Sequence, residues 1–272
     1  MRRFKQVDVF TDRPFLGNPV AVVLDAEDLD TATMQRIAGW TNLSETAFVL
    51  PSQVADYRLR IFSLHQELPF AGHPTIGSAH AALEAGIVEG SKFRQECGAG
   101  IVDLTVDAGA VFLRAPQPKI APADNLAGAV GVPLAPAAPL LRIDVGPIWL
   151  VGEMKDAAAL AALQPDMAAL AKWSNSHGAS GLTVFARSGE SSSAFHVRSF
   201  APAHGVPEDP VCGSGNICVA AYLRHFKRAE SSYVARQGMQ LGRDGRVFVR
   251  VQPDAIQIGG RAVTCVEGKL AG

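Results

Sequence analysis

Pro69-Phe70-Ala71-Gly72-His73-Pro74-Thr75-Ile76 returns as Pro210-Val211-Cys212-Gly213-Ser214-Gly215-Asn216-Ile217, 141 residues further along a chain of 272. Pro, Gly and Ile recur in register, and Ala79 falls on Ala220. Each copy is a glycine-containing loop that runs into an alanine-rich stretch predicted to be a helix. Matches extend outward from the loops. Tyr57-Arg58-Leu59-Arg60-Ile61-Phe62 answers Phe195-His196-Val197-Arg198-Ser199-Phe200 at an offset of 138, and Val111-Phe112-Leu113-Arg114 answers Val247-Phe248-Val249-Arg250 at 136. The drift reads as loop insertions and deletions. A solenoid unit repeats every 20–50 residues or so, far less than this. The expectation is two homologous domains: residues 1–116, completed by the C-terminal residues 262–272, and residues 117–261.

Between the repeats the local signals are mixed. Val7 and Val9 alternate with Gln6 and Asp8, and 18–24 is a second apolar strand. Asp30-Thr31 is a start signal for a helix carrying Met34, Ile37, Ala38 and Thr41 at helical spacing. Further strands are expected at 46–50, 57–61, 100–106 and 110–115. A helix is expected at about 75–85, stopped by Gly86. Strands meeting by hairpins, with few helices among them, predict an α+β fold rather than regular βαβ alternation. The proline-rich stretch 115–140 is the expected crossing between domains. An alanine-rich helical stretch at about 155–173 is interrupted by Pro165.

Composition narrows the partners. A net charge of −1 leaves no electrostatic footprint for nucleic acid. No stretch approaches the ~18 apolar residues of a membrane span. The start of the chain lacks an apolar signal core, and the four cysteines form no C-x-x-C pair, so reduced thiols and a cytoplasmic location are expected. A small or neutral partner fits this balance; the helix starts of the two loops favour a small anionic one, and a homodimer is the expected assembly, which composition does not itself show. The seven histidines are scattered without an H-x-x-x-H pair, so no metal is implied. Neither loop matches a Walker or dinucleotide fingerprint, so nucleotide binding is not implied.

The loops are the candidate chemistry. A helix N-terminus exposes unpaired N–H groups and attracts a carboxylate or phosphate. Gly72 and Gly213 let the backbone approach a ligand, or simply make tight turns. His73 can donate a hydrogen bond or exchange a proton near neutral pH, or serve as a buried structural histidine. Asp209 reads on spacing alone as a cap, and Ser214 is a candidate N-cap. Cys212 is either a thiol activated by a helix N-terminus or a small packing residue. Glu45, between a helix and an apolar strand, is either a desolvated acid or a solvated edge residue.

Four motifs carry a resemblance. Gly17-Asn18-Pro19-Val20-Ala21-Val22-Val23, Asn42-Leu43-Ser44-Glu45-Thr46-Ala47-Phe48-Val49, Glu67-Leu68-Pro69-Phe70-Ala71-Gly72-His73-Pro74-Thr75 and Glu208-Asp209-Pro210-Val211-Cys212-Gly213-Ser214-Gly215 resemble the phenazine-biosynthesis isomerase (PhzF-like) family, from about residue 4 to 268. The resemblance implies a diaminopimelate-epimerase-like fold: two similar domains, each a curved, barrel-like β-sheet around a central helix, with the substrate bound between them. It implies a cofactor-independent isomerase of the trans-2,3-dihydro-3-hydroxyanthranilate isomerase type. Glu45 is then the acid/base, with His73 and Asp209 as catalytic partners. Gly72, Cys212, Gly213, Ser214 and Gly215 would bind the substrate.

The second motif departs from the family's usual E-D-P-A-T-G-S-A at Val211, Cys212 and Gly215. Cys212-Gly213-Ser214-Gly215 is similar to one of the two cysteine motifs of diaminopimelate epimerases, but the matching position in the first loop is Ala71. An amino-acid epimerase using Cys212, and a non-catalytic small-molecule-binding protein of the same fold, are the alternatives.

Overall fold

The computed structural model describes residues 1–124, 131–135 and 138–271. The chain packs as two compact units, residues 1–114 with 259–272, and residues 115–258. The stretch 115–140, expected as the crossing, falls within the second unit and contains a short strand; its residues 125–130 and 136–137 lie outside the described residues.

In the first unit the strands are β1 (Arg2–Val9), β2 (Asn18–Val23), β3 (Glu45–Leu50), β4 (Tyr57–Ser63), β5 (Glu67–Leu68), β6 (Lys92–Cys97), β7 (Gly100–Asp107) and β8 (Ala110–Arg114). Helix α1 (Thr31–Thr41) joins β2 to β3, and α2 (Gly72–Glu84) joins β5 to β6. The second unit holds β9 (Lys119–Pro122), β10 (Leu141–Asp144), β11 (Ile148–Glu153), α3 (Ala157–Ala162), α4 (Met167–Ser176), β12 (Gly181–Arg187), β13 (Phe195–Ala201), β14 (Val206–Asp209), α5 (Gly213–His225), β15 (Ser232–Gln237) and β16 (Gly245–Val251). After β17 (Ile256–Gly260), β18 (Ala262–Leu270) pairs antiparallel with β1, so the C-terminus completes the first sheet.

The pairing pattern repeats as the sequence does. From β1 the joins run antiparallel to β2, parallel to β3, antiparallel to β4, parallel to β6 and antiparallel to β7. From β10 the same five relations lead through β11, β12, β13 and β15 to β16. The architecture is α+β, as expected, but each unit contains two parallel joins that the hairpin reading missed. Parallel neighbours need a crossover. Here α1, and the α3–α4 pair split at Pro165, supply one per unit, and the loop-and-helix motif supplies the other.

One of the three repeat blocks is corrected. Val111-Phe112-Leu113-Arg114 lies in β8, whereas Val247-Phe248-Val249-Arg250 lies in β16, whose counterpart after the central helix is β7. Four residues of alternating apolar character fit any strand, so that match carried no positional information. The other two blocks superpose by element: β4 on β13, and α2 on α5, 13 residues each.

Each unit wraps its sheet around one helix. Helix α2 touches β18, β1, β2, β3 and β4, and also β8 at the far side of the strand order. Helix α5 touches β10, β11, β12 and β16. A helix buried on every side must be apolar or small all round. Accordingly His73 to Ala79 are all buried in α2, as are Gly215 to Leu223 in α5. A Cβ on Gly77 would stand 2.5 Å from Val20 Cγ1 and 2.8 Å from Val9 Cγ2. The helix starts at Gly72, three residues before the expected position, because Pro74 sits in the first turn where its missing N–H is not needed. It stops as expected: Gly86 has φ +67°, and the N–H of Ile87 reaches back to Ala82 O at 2.9 Å.

Two glycines therefore respond oppositely to alanine. Gly77→Ala overpacks the core and is expected to lower stability by about 1–3 kcal/mol. Gly39→Ala sits on the exposed side of α1, where the nearest outside atom is 3.9 Å away, and is expected to raise stability by about 0.5–1 kcal/mol. Urea denaturation of the two variants checks both signs.

Candidate active site

In the first unit, α1 closes on Asn42 in the left-handed conformation (φ 56°), which turns the chain so that β3 opens on Glu45. The Thr41 and Thr46 hydroxyls bond at 2.8 Å and tie the end of the helix to the start of the strand. Helix α2 opens on Gly72 and His73, and its N-cap, Ala71, offers no side-chain acceptor. These two starts bring Glu45 and His73 together: Glu45 Oε2 lies 3.6 Å from His73 Nδ1, with side chains 19% and 8% exposed. Glu45 Oε2 and His73 Nε2 are buried and make no hydrogen bond to the protein. Helix geometry leaves the N–H groups of Gly72 and His73 without an intrahelical acceptor.

The support beneath is polar and buried. Thr75 accepts from Gln95 Nε2 (3.2 Å), and Gln95 Oε1 accepts from Tyr57 Oη (2.9 Å). The Gly17-Asn18-Pro19 turn is structural. Buried Asp8 accepts the Gly17 N–H at 3.0 Å, and a Cβ on Gly17 would collide with Val9 O at 2.1 Å.

In the second unit Asp209 ends β14. Its carboxylate accepts the Val211 N–H at 3.0 Å, and its carbonyl accepts from Gln237 Nε2 at 3.0 Å. Gln237 also accepts from Asn216 Nδ2 (2.9 Å), which donates as well to Cys212 O (2.8 Å). Asn216 and Thr75 hold the same helical position in the two copies, and each bonds a buried glutamine of the following strand. Glu208 is structural: Arg198 grips it bidentately at 2.9 and 2.8 Å and spends its third nitrogen on the carbonyls of Leu160 and Leu163.

The N-cap of α5 is Cys212, not Ser214: the thiol sulfur accepts the Gly215 N–H at 3.3 Å. Ser214 instead accepts from Trp149 Nε1 at 2.9 Å. Gly215 stands where a Cβ would meet Ser199 Oγ at 2.6 Å and Thr183 Oγ1 at 2.7 Å, so its glycine reflects close packing of helix on sheet. Of the two readings of Cys212, its surroundings favour the small packing residue over the activated thiol. Burial, and then the Asp209 carboxylate, push the thiol well above its ordinary range, and the hydrogen bonds of Ser214 and the Gly215 N–H to the sulfur do not offset them. A thiol held up in this way is a poor base for an epimerase.

The structure thus gathers the site residues in two groups, Glu45 with Gly72 and His73, and Asp209 with Cys212, Gly213, Ser214 and Gly215. Gln95, Gln237, Arg198 and Trp149 support them, and no local pattern marked these four. Among the described residues no three His, Cys, Asp or Glu side chains cluster as metal ligands, and no helix is long and apolar enough to cross a membrane.

The sequence profile of phenazine biosynthesis-like proteins (PhzC-PhzF) matches residues 7–268. The chain belongs to this family. It is 34% identical to a trans-2,3-dihydro-3-hydroxyanthranilate isomerase of Pseudomonas aeruginosa, over 99% of both chains. It is 41% identical to the Schizosaccharomyces pombe protein called antisense-enhancing sequence 1, over 98% of this chain and 97% of that one. The crystal structure of a Bacillus anthracis PhzF-family protein superposes with a TM-score of 0.88 at 28% identity, covering 99% of each chain. As a PhzF-type protein the chain is an enzyme of the isomerase class.

The buried thiol of Cys212 generates a prediction. Iodoacetamide at pH 7 is expected to spare Cys212 and Cys218 in the native protein and to label them after denaturation, because burial pushes both thiols up. Partly exposed Cys265 should label first. Peptide mapping by mass spectrometry reads the order, and rapid native labelling at Cys212 would contradict it.

Proposed function

We propose that this PhzF-family protein moves a proton between carbons of a small, conjugated carboxylate without a cofactor, as in the isomerisation of trans-2,3-dihydro-3-hydroxyanthranilate. Glu45 removes the proton from one carbon and returns it to another. The electron pair shifts through the conjugated system, so no atom is gained or lost. His73, beside Glu45, accepts or donates a hydrogen bond as charge moves. Asp209 is the third polar partner. The substrate carboxylate is held by the N–H groups of Gly213 and Ser214 and by the Ser214 hydroxyl, at a helix start that favours anions.

The observation that carries this reading is the Glu45–His73 pair: an acid and an imidazole 3.6 Å apart, enclosed, with one polar atom of each making no protein hydrogen bond. A structural ion pair would normally satisfy those atoms. Proton transfer by one positioned residue contributes about 10²–10⁴-fold, so orientation of the carboxylate must supply much of the remainder.

The test is proton exchange. Wild-type protein incubated with trans-2,3-dihydro-3-hydroxyanthranilate in D₂O is expected to place deuterium on carbon, read by NMR. Glu45→Gln should lower that exchange by at least about 10²-fold while changing affinity less than about tenfold, since the amide keeps the shape and loses the base. Near wild-type turnover by the Gln variant would remove Glu45 from the mechanism.

A further inference from the structure

The indole of Trp149 has no assigned task, yet it points its one polar atom at a residue of the second loop. Trp149 is the second residue of β11 and is 4% exposed. Its Nε1–H donates to Ser214 Oγ at 2.9 Å. An indole can only donate, and a buried one requires an acceptor. Ser214 must therefore act as acceptor toward Trp149, which restricts where its own hydroxyl proton can go. A further neighbour of that oxygen is Cys212 Sγ at 3.5 Å, a contact in which either atom could donate; as an acceptor the sulfur is weak and already receives the Gly215 N–H.

We propose that Trp149 is a positioning residue: by occupying one side of the Ser214 oxygen, it sets the Ser214 O–H as a donor to the carboxylate of the substrate. This rests on the reading of Ser214 as a carboxylate-binding group. A carboxylate outcompetes a thiol for that proton, because a charge-assisted hydrogen bond is about twice as strong as a neutral one. The alignment costs little at the moment of binding, since the indole already holds the oxygen in place. Trp149 itself touches no substrate in this account and acts through Ser214 alone.

The experiment is a double-mutant cycle with Trp149→Phe, Ser214→Ala and the pair, on the full chain. Phe keeps most of the buried ring and removes only the N–H. The probe is anthranilate, a stable aromatic carboxylate, with affinity read by calorimetry. Trp149→Phe is expected to weaken binding roughly fivefold in the wild-type background, the size of one modest hydrogen bond, and less than about twofold in Ser214→Ala. With trans-2,3-dihydro-3-hydroxyanthranilate the same variant should lower kcat/KM roughly fivefold in the wild-type background and less than about twofold in Ser214→Ala, since the contact both binds and orients the carboxylate.

A second readout does not depend on turnover. The chain has three tryptophans, so three indole N–H signals are expected in a ¹⁵N spectrum. The signal of Trp149 should move when anthranilate is added, and should move in Ser214→Ala without ligand. Equal weakening by Trp149→Phe in both backgrounds, or none in either, would overturn the proposal while leaving the carboxylate site standing. Failure of the wild-type protein to bind anthranilate or to turn over trans-2,3-dihydro-3-hydroxyanthranilate would instead remove the functional reading, and this inference with it.

Discussion

Enclosure of one helix by its own sheet is the constraint on which each unit depends. Helices α2 and α5 are surrounded by strands, so neither can carry a polar stripe along its length. Small residues let the strands close in, as the 2.5 Å clearance at Gly77 illustrates. A helix enclosed this way is available to a ligand only at its ends. The backbone N–H groups of the first turn are the polar groups that the helix itself cannot satisfy. It is therefore a physical consequence of the architecture that the repeated motif, with the candidate residues His73 and Ser214, sits at the start of each central helix.

The two copies of that start have diverged while the scaffold beneath has not. In the first, Ala71 provides no cap, Pro74 removes one N–H, and His73 lies against Glu45. In the second, the Cys212 sulfur takes the Gly215 N–H, and Ser214 receives the Trp149 indole. The first copy holds groups able to exchange protons. The second holds oriented donors with a carboxylate, Asp209, fixed by the Val211 N–H. The two copies share one geometry, and five of the eight motif positions differ between them.

Buried polar contacts hold these starts in place. Arg198 joins Glu208 on β14 to the carbonyls at the end of α3, with both charged side chains less than a tenth exposed. Such pairs add little net stability over apolar packing, but removing one partner strands a buried charge at a cost of about 3–5 kcal/mol. Their contribution here is to position the strand that delivers Asp209. Gln237 and Gln95 act similarly, each bonding the fourth residue of a central helix.

The sequence by itself determined the duplication, the α+β class, the central helices, the Asp30 cap and the Gly86 stop, because repeats, caps and periodicity are local and leave a pattern along the chain. The same locality made His73 and the loop glycines legible as candidates, whereas Glu45 and Asp209 stood out from an edge residue and a cap only through the family resemblance of their motifs. It misassigned the Val111-Phe112-Leu113-Arg114 block, since alternation alone does not identify a strand. Only the tertiary structure decided which strands run parallel, that Glu45 and His73 meet, that Cys212 is buried and caps α5, and that Arg198 and Trp149 underlie the second loop. Those properties depend on what surrounds a group in space. Desolvation, a neighbouring carboxylate or an indole contributed from 65 residues away leaves no mark on the residues next to it in the chain.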